Sequence, residues 1–76
     1  MNKISEARVK IRPRLRDLLN DQEMTQKELS LLTGIAPSIL SRFDDQKSHK
    51  DEHLFLIAEA LGRTVEELFK IEKGAS

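Results

Sequence analysis

Residues 24–43 read MTQKELSLLTGIAPSILSRF, and this stretch decides the fold. Thr25 and Glu28 form the pattern of a capping box. In this motif the threonine side chain accepts a hydrogen bond from the backbone N–H of the third helical residue, and the glutamate side chain accepts one from the backbone N–H of the threonine. The apolar residues that follow predict a helix to about Leu32. Gly34 follows closely, and glycine readily takes the left-handed conformation that ends a helix.

A second short helix is predicted to follow at once. Pro37 suits its first position, where a missing N–H costs nothing, and Leu40 and Phe43 lie three residues apart on its inner face. Leu29 is at the position that anchors the two helices, and Ser30 is small enough to let them approach closely. Two short helices joined by a three-residue turn around a glycine form a helix-turn-helix pattern.

Further helices are predicted on both sides of this motif. Leucines at helical spacing predict a first helix over 13–21, with the proline of that segment in its first turn. Residues 44–50 are polar throughout and are interpreted as a loop. The next helix is predicted to open at Lys50 or Asp51 and to end at Gly62.

Residues 64–67 (TVEE) form a second capping box, which predicts a final helical turn through Leu68. The chain is then helical nearly throughout, and we predict an all-α, compact five-helix domain. The predicted core contains Leu15, Leu18, Leu29, Ile35, Leu40, Phe43, Leu54, Ile57, Leu61, Val65 and Leu68.

Both ends of the chain contain a short alternation of apolar and charged residues. Residues 9–12 (VKIR) and 69–72 (FKIE) have the period of a half-buried strand. The two stretches are able to pair, since basic residues on one would face a glutamate on the other. Extension of the neighbouring helices explains the pattern equally well, so both interpretations stay open.

Composition limits the classes of function. The chain has 76 residues and no cysteine, so we expect no disulfide and no thiolate site. No segment has the length of a signal peptide or a membrane span, and a cytoplasmic protein is expected. A chain this short has little room for an enclosed pocket. We therefore expect no enzymatic activity, no cofactor and no metal site.

Charge is distributed unevenly. Thirteen basic and thirteen acidic residues cancel overall, but residues 1–16 carry six basic residues against one acidic, a net charge of +5. A basic end suits a surface that faces phosphate and, equally, a solvated helix face.

We predict one domain over 1–76, with a basic N-terminal arm or short strand over 1–12, the helix-turn-helix domain over 13–69 with its motif at 25–43, and a C-terminal tail over 70–76.

Residues 24–43, together with 56–69 (LIAEALGRTVEELF), resemble the Cro and phage-repressor type of helix-turn-helix regulator. This resemblance implies a lambda-repressor-like domain that binds double-stranded DNA, usually as a homodimer on a palindromic operator. Small members with a basic alternating start often pair it with a C-terminal strand. By position, Gln26 matches a glutamine that grips a phosphate, and the exposed face of the recognition helix comprises Ala36, Pro37, Ser38, Ser41 and Arg42.

The chemistry of these residues supports a nucleic-acid surface. Helix amino ends present free N–H groups that suit phosphate, so residues 25–27, with Lys27, and residues 37–39 are candidate phosphate contacts. Arg42 is the one side chain of the recognition helix able to contact guanine O6 and N7 together. A surface salt bridge with Asp45 is the alternative for Arg42.

Lys47 and Lys50 follow the recognition helix. They would flank the DNA backbone there, or be simply solvated. Asp44 and Asp45 place negative charge just beyond Arg42, where phosphate would repel it.

Several positions depart from the family's pattern. Ala36 and Pro37 offer little direct readout beyond a thymine methyl. Apolar residues at positions that are more often polar would mark a protein interface if exposed together, and they are Leu31, Ile39, Phe55 and Leu56. Phe55 and Leu56 are the first candidates for a homodimer contact, with the terminal segments as the alternative.

The segment His49-Lys50-Asp51-Glu52-His53 has the H-x-x-E-H spacing of inverted zinc peptidases. That chemistry needs a third protein ligand and a substrate cleft. The two acidic residues favour a helix N-terminus electrostatically, so a solvated helix start is the preferred interpretation, ahead of adventitious metal binding.

The sequence therefore predicts a small sequence-specific DNA-binding transcriptional regulator, repressor-like and dimeric, with residues 36–43 in the major groove. The alternative is a helix-turn-helix module of antitoxin or anti-repressor type, which binds a protein partner without strong DNA binding.

Overall fold

The computed structural model describes residues 9–73. Within them the chain forms four α-helices and a two-stranded sheet, in the order β1 (Val9–Pro13), α1 (Leu15–Asp21), α2 (Gln26–Thr33), α3 (Pro37–Arg42), α4 (Asp51–Leu61) and β2 (Phe69–Lys73). Single 3₁₀ turns lie at Phe43–Asp45 and Glu66–Leu68. The mostly helical fold agrees with the prediction, but the expected fifth helix is only the 3₁₀ turn before β2. No helix within residues 9–73 is long and apolar enough to cross a membrane.

The strand interpretation of the two ends is confirmed. β1 and β2 pair antiparallel, with Ile11 opposite Ile71 and Pro13 opposite Phe69. Phe69 is partly buried and packs against the core. The sheet thus forms a ribbon that is anchored to the helices at one end.

The prediction that Pro13 opens the first helix is wrong. Pro13 is the last residue of β1, and α1 begins two residues later at Leu15. Proline pushes the residue before it towards the extended region, which keeps Arg12 in the strand. A strand end tolerates proline where its missing N–H is not needed.

Both predicted capping boxes are present. Thr25 Oγ1 accepts the Glu28 N–H at 3.0 Å, and Glu28 Oε1 accepts the Thr25 N–H at 2.9 Å. Thr64 and Glu67 repeat the arrangement at 3.3 and 2.9 Å. The C-cap of α2 is Gly34, whose φ of 78° is left-handed, as predicted.

One hydrophobic core lies between the helices. Leu54 and Val65, which were predicted for it, are partly buried and pack against it, whereas Leu19 and Ala58 are additional members. The buried residues are Leu15, Leu18, Leu19, Leu29, Ile35, Leu40, Phe43, Ile57, Ala58, Leu61 and Leu68.

Candidate nucleic-acid interface

The turn between α2 and α3 is held by side chains of α2. Ser30 Oγ donates to the Ile35 carbonyl at 2.6 Å, and Thr33 Oγ1 accepts the Ile35 N–H at 3.1 Å. Leu29 is fully buried beneath the turn. These contacts fix α3 against α2, so Ser30 contributes a hydrogen bond in addition to the small size that the sequence indicated.

The amino end of α3 offers few polar groups. Ala36 is the N-cap and makes no side-chain hydrogen bond, and Pro37 at the first position has no N–H. The N–H groups of Ile39 and Leu40 both donate to the Ala36 carbonyl, at 3.0 and 3.2 Å. Of this first turn, only the Ser38 N–H has no backbone acceptor among the described residues. The expected phosphate contact at this end is therefore limited to a single donor.

Ser41 uses its hydroxyl proton within the helix. Its Oγ donates to the Ser38 carbonyl at 3.0 Å. Only lone pairs remain to face outward, and they accept hydrogen bonds. In this rotamer Ser41 suits the amino group of a base better than a phosphate oxygen, which needs a donor.

Arg42 is the last residue of α3, and it is exposed. It makes no ion pair with any residue in the range 9–73. Asp45, its expected alternative partner, pairs instead with Arg16, whose Nη2 lies 3.6 Å from Asp45 Oδ2. The Arg42 guanidinium is thus left open to a ligand.

Asp44 caps α1 from a distant part of the chain. Its Oδ1 accepts the Leu15 N–H at 2.7 Å, and its Oδ2 accepts the Arg16 N–H at 3.0 Å. These are donors of the first helical turn, where a carboxylate is favoured. The predicted loop over 44–50 is therefore wrong at its start, which is a 3₁₀ turn, and the Asp44 carboxylate faces α1.

The basic residues near the start of the chain have two different roles. Arg14 Nε donates to the Glu67 carbonyl at 2.8 Å, and Arg16 Nη2 donates to the Ser41 carbonyl at 3.1 Å. Both arginines therefore join elements of the fold. Lys10 and Arg12 are exposed on β1, where Arg12 Nε lies 3.5 Å from Glu72 Oε1 on β2. Of the four basic residues in the described part of this segment, two therefore make hydrogen bonds that hold the fold. The other two basic residues of segment 1–16 lie outside the described residues.

Lys47 shares a cleft with the basic residues of β1. The cleft is open, has a volume of about 880 Å³, and is lined on one side by Lys10 and Arg12 and on the other by Asp44, Asp45, Gln46 and Lys47. The sequence named Lys47 as a site residue, whereas it included the two strand residues only in the basic end of the chain. The alternation of apolar and charged residues in segment 9–12, interpreted as a strand, would have placed Lys10 and Arg12 together on one face of the sheet.

The other predicted phosphate contacts lie at helix starts. Gln26 and Lys27 are the first two residues of α2, half-buried and exposed respectively. Lys50 is the exposed N-cap of α4 and makes no side-chain cap bond. None of the three lines the cleft that holds Lys47.

His49 has a structural contact. Its Nε2 lies 2.7 Å from the Phe43 carbonyl and donates to it in the matching tautomer. The two rings stack with centroids 4.0 Å apart. This bond occupies one of the two ring nitrogens of His49, and residues 9–73 contain no group of three or more side chains placed to hold a metal.

Apolar side chains are exposed at several places. Phe55 and Leu56 on α4 are 67% and 43% exposed, and Leu31 on α2 is 78% exposed. Ile39 is more covered, at 39%. The sequence indicated these four residues but not Leu32, Ile11 and Ile71, which are also exposed.

Comparison with known proteins agrees with this geometry. A sequence profile of the Cro/C1-type HTH DNA-binding domain matches residues 14–74, from the residue before α1 to just beyond β2. Comparisons with curated proteins and with solved structures gave no match. The profile includes the whole helix-turn-helix motif and most of the chain. The chain therefore belongs to the family of Cro/C1-type helix-turn-helix DNA-binding domains.

Proposed function

We propose that this protein is a small sequence-specific transcriptional regulator of repressor type, which binds double-stranded DNA as a homodimer with residues 36–43 in the major groove. Family membership supports DNA binding in general. The observation that supports this particular arrangement is the exposed Arg42 at the end of α3, which has no ion-pair partner among residues 9–73.

In this proposal Arg42 supplies the main base contact. A guanidinium can donate to guanine O6 and N7 together, and few other side chains discriminate a base pair so well. Ala36 and Pro37 contact a thymine methyl at most, while Ser38 and Ser41 add single polar contacts. Because so few side chains contact the bases, part of the specificity comes from the shape and deformability of the DNA.

Four residues position the protein on the DNA backbone. Lysines act on phosphate as point charges, and a glutamine at a helix start donates from its amide. Each phosphate contact releases counterions, so affinity falls as salt rises. The proposed contacts are Gln26, Lys27, Lys47 and Lys50.

A homodimer suits this mode of binding because a twofold-symmetric protein matches a palindromic operator. Two surfaces are candidates for the contact between subunits. One is the exposed pair Phe55 and Leu56 on α4, and the other is the terminal ribbon.

A second function is favoured by a specific observation. Leu31 and Phe55 are both mostly exposed, and the first turn of α3 presents little polar chemistry. A helix-turn-helix module that binds a protein partner, as an antitoxin or anti-repressor would, needs such apolar surface and no DNA readout.

Titration of duplex DNA with the purified protein over a series of salt concentrations separates the two functions. We expect log K to fall linearly with log salt, with a slope that reports several phosphate contacts. Absence of binding at low salt by the folded protein would contradict DNA regulation and favour the protein-binding module.

A further inference from the structure

The outer edge of β2 is unpaired within the described residues. The sheet has two strands, so β2 meets β1 on one side only. Arg14 N–H donates to the Leu68 carbonyl at 2.9 Å, which fixes a hydrogen-bonded rung at the base of the ribbon. Because bonded and non-bonded rungs alternate in an antiparallel pair, the outward-pointing backbone groups belong to Phe69, Ile71 and Lys73.

The ribbon also carries an uncovered apolar pair. Ile11 and Ile71 lie directly opposite each other and are 63% and 61% exposed. A two-stranded ribbon is marginal in water, whereas three or more strands with an apolar face are stable. An open edge beside apolar side chains is a template for a further strand.

We propose that this further strand is β2 of a second copy of the chain, paired antiparallel about Ile71. A twofold axis at this position places Lys70 opposite Glu72 of the partner subunit, and Glu72 opposite Lys70 of the partner subunit. Opposite charges directly across a sheet stabilise pairing, and like charges destabilise it.

Charge also selects the register. The side-chain faces must match, so the axis must lie on a residue of β2, and the nearest alternatives to Ile71 are Lys70 and Glu72. Each of these registers places a charged residue opposite its own copy. The register centred on Ile71 is the only one of the three in which Lys70 and Glu72 meet as opposite charges.

The other edge of the ribbon lacks this complementarity. Antiparallel pairing of β1 about Ile11 would place Lys10 opposite Arg12 of the partner subunit, which are like charges. Pro13 has no N–H to donate to a new strand. Self-association therefore uses β2, and it forms a four-stranded sheet with the isoleucines of both subunits on one face.

This inference rests on the proposed homodimer and assigns its contact to β2 instead of Phe55 and Leu56 on α4. A twofold interface uses the same patch on both subunits, and the sequence Lys70-Ile71-Glu72 is complementary to itself in this orientation. No such self-complementarity is evident for the α4 pair.

The substitution K70E separates pairing between subunits from pairing within one. Within a chain, Lys70 lies opposite Arg12, and its Nζ is 3.9 Å from Glu72 Oε2. A glutamate at position 70 loses this exposed pair with Glu72, but it replaces the like charges across the ribbon by opposite charges. Between subunits it faces Glu72 of the partner subunit. Sedimentation should therefore detect self-association weakened about tenfold or more, because two symmetric pairs change sign, while the folded helical content is retained.

A mixing experiment makes the test specific. E72K alone would lose the pair between Arg12 Nε and Glu72 Oε1, which are 3.5 Å apart within the chain, and would place a lysine opposite Lys10. It is therefore combined with K10E, which restores opposite charges across the ribbon. The K10E/E72K protein should be monomeric, whereas an equal mixture with the K70E protein should form heterodimers, since both cross-subunit pairs are then of opposite charge. F55Q is the matched control on α4 and should remain a dimer.

Three outcomes would overturn the β2 contact. They are dimerisation of K70E at wild-type strength, dissociation caused by F55Q alone, and failure of the mixture to associate. A wild-type chain that is monomeric at high micromolar concentration, with and without DNA, would also remove the proposed homodimer. DNA binding by such a monomer would leave the regulator proposal intact apart from its oligomeric state.

Discussion

Asp44 and Leu15 are joined across 29 residues of sequence by a 2.7 Å hydrogen bond from the Leu15 backbone N–H to Asp44 Oδ1. The bond connects the 3₁₀ turn that follows α3 to the first turn of α1. The N-cap residue of α1, Arg14, makes no side-chain cap bond. The Asp44 carboxylate instead accepts the hydrogen bonds of the free N–H groups at the amino end of α1. The position of α3 is thereby linked to that of α1.

Replacing Asp44 by alanine should destabilise the protein by about 0.5–2 kcal/mol, the usual range for loss of a helix cap. Urea unfolding followed by circular dichroism measures the change. Asp45→Ala is the matched control, because the exposed ion pair between Asp45 and Arg16 should contribute about 0.5 kcal/mol or less. Equal losses for the two variants would show that the cap is not a specific contribution of Asp44.

Leu29→Ala should destabilise the domain by about 2–5 kcal/mol, since Leu29 is fully buried and its loss leaves a cavity. A domain of this size has a free energy of unfolding of similar magnitude, so the variant should be largely unfolded. Leu31→Ala on the same helix is the control, because Leu31 is 78% exposed. An unchanged melting temperature for Leu29→Ala would contradict the fold.

Glu67 predicts a pH dependence of stability. The Thr64 backbone N–H, followed by the Arg63 side chain, holds the pKa of Glu67 below its ordinary value. A carboxyl with a lowered pKa in the folded state stabilises at neutral pH, and this stabilisation is lost as the pH falls through the folded pKa. Glu67→Gln should therefore be less stable than wild type at neutral pH, with the difference disappearing in acid.

Thermal unfolding of both proteins over an acid-to-neutral pH series tests this. Glu66→Gln, on the same turn, is the control and should unfold like wild type at neutral pH. A difference between wild type and Glu67→Gln that persists unchanged into strong acid would mean that the ionised carboxylate is not the cause.

The features that were predictable from sequence are those encoded locally. Thr25 with Glu28 and the positive-φ glycine at 34 each specify a boundary within a few residues, and the structure has both. Leucine spacing gave most of the core for the same reason. The strands at the two ends were an open alternative because four alternating residues fit either structure, and only their pairing with each other decides.

The features that were not predictable depend on contacts between distant residues. Asp44 belonged to a polar run, and nothing near it in sequence indicated that α1 would lie against it. The pairing of Asp45 with Arg16 instead of Arg42 has the same origin. Pro13 fits a helix start and a strand end equally well. Pairing with β2 makes it the end of a strand.

We propose that α3 reads DNA sequence through Arg42. The most direct test compares the affinity for a duplex enriched from a random library with that for a random duplex, using wild type, Arg42→Ala and Lys47→Ala. Arg42→Ala should lose about 1–3 kcal/mol on the enriched duplex and little on random DNA, whereas Lys47→Ala should weaken both nearly equally and reduce the salt dependence. Equal losses on both duplexes for Arg42→Ala would contradict the claim and make Arg42 a backbone contact.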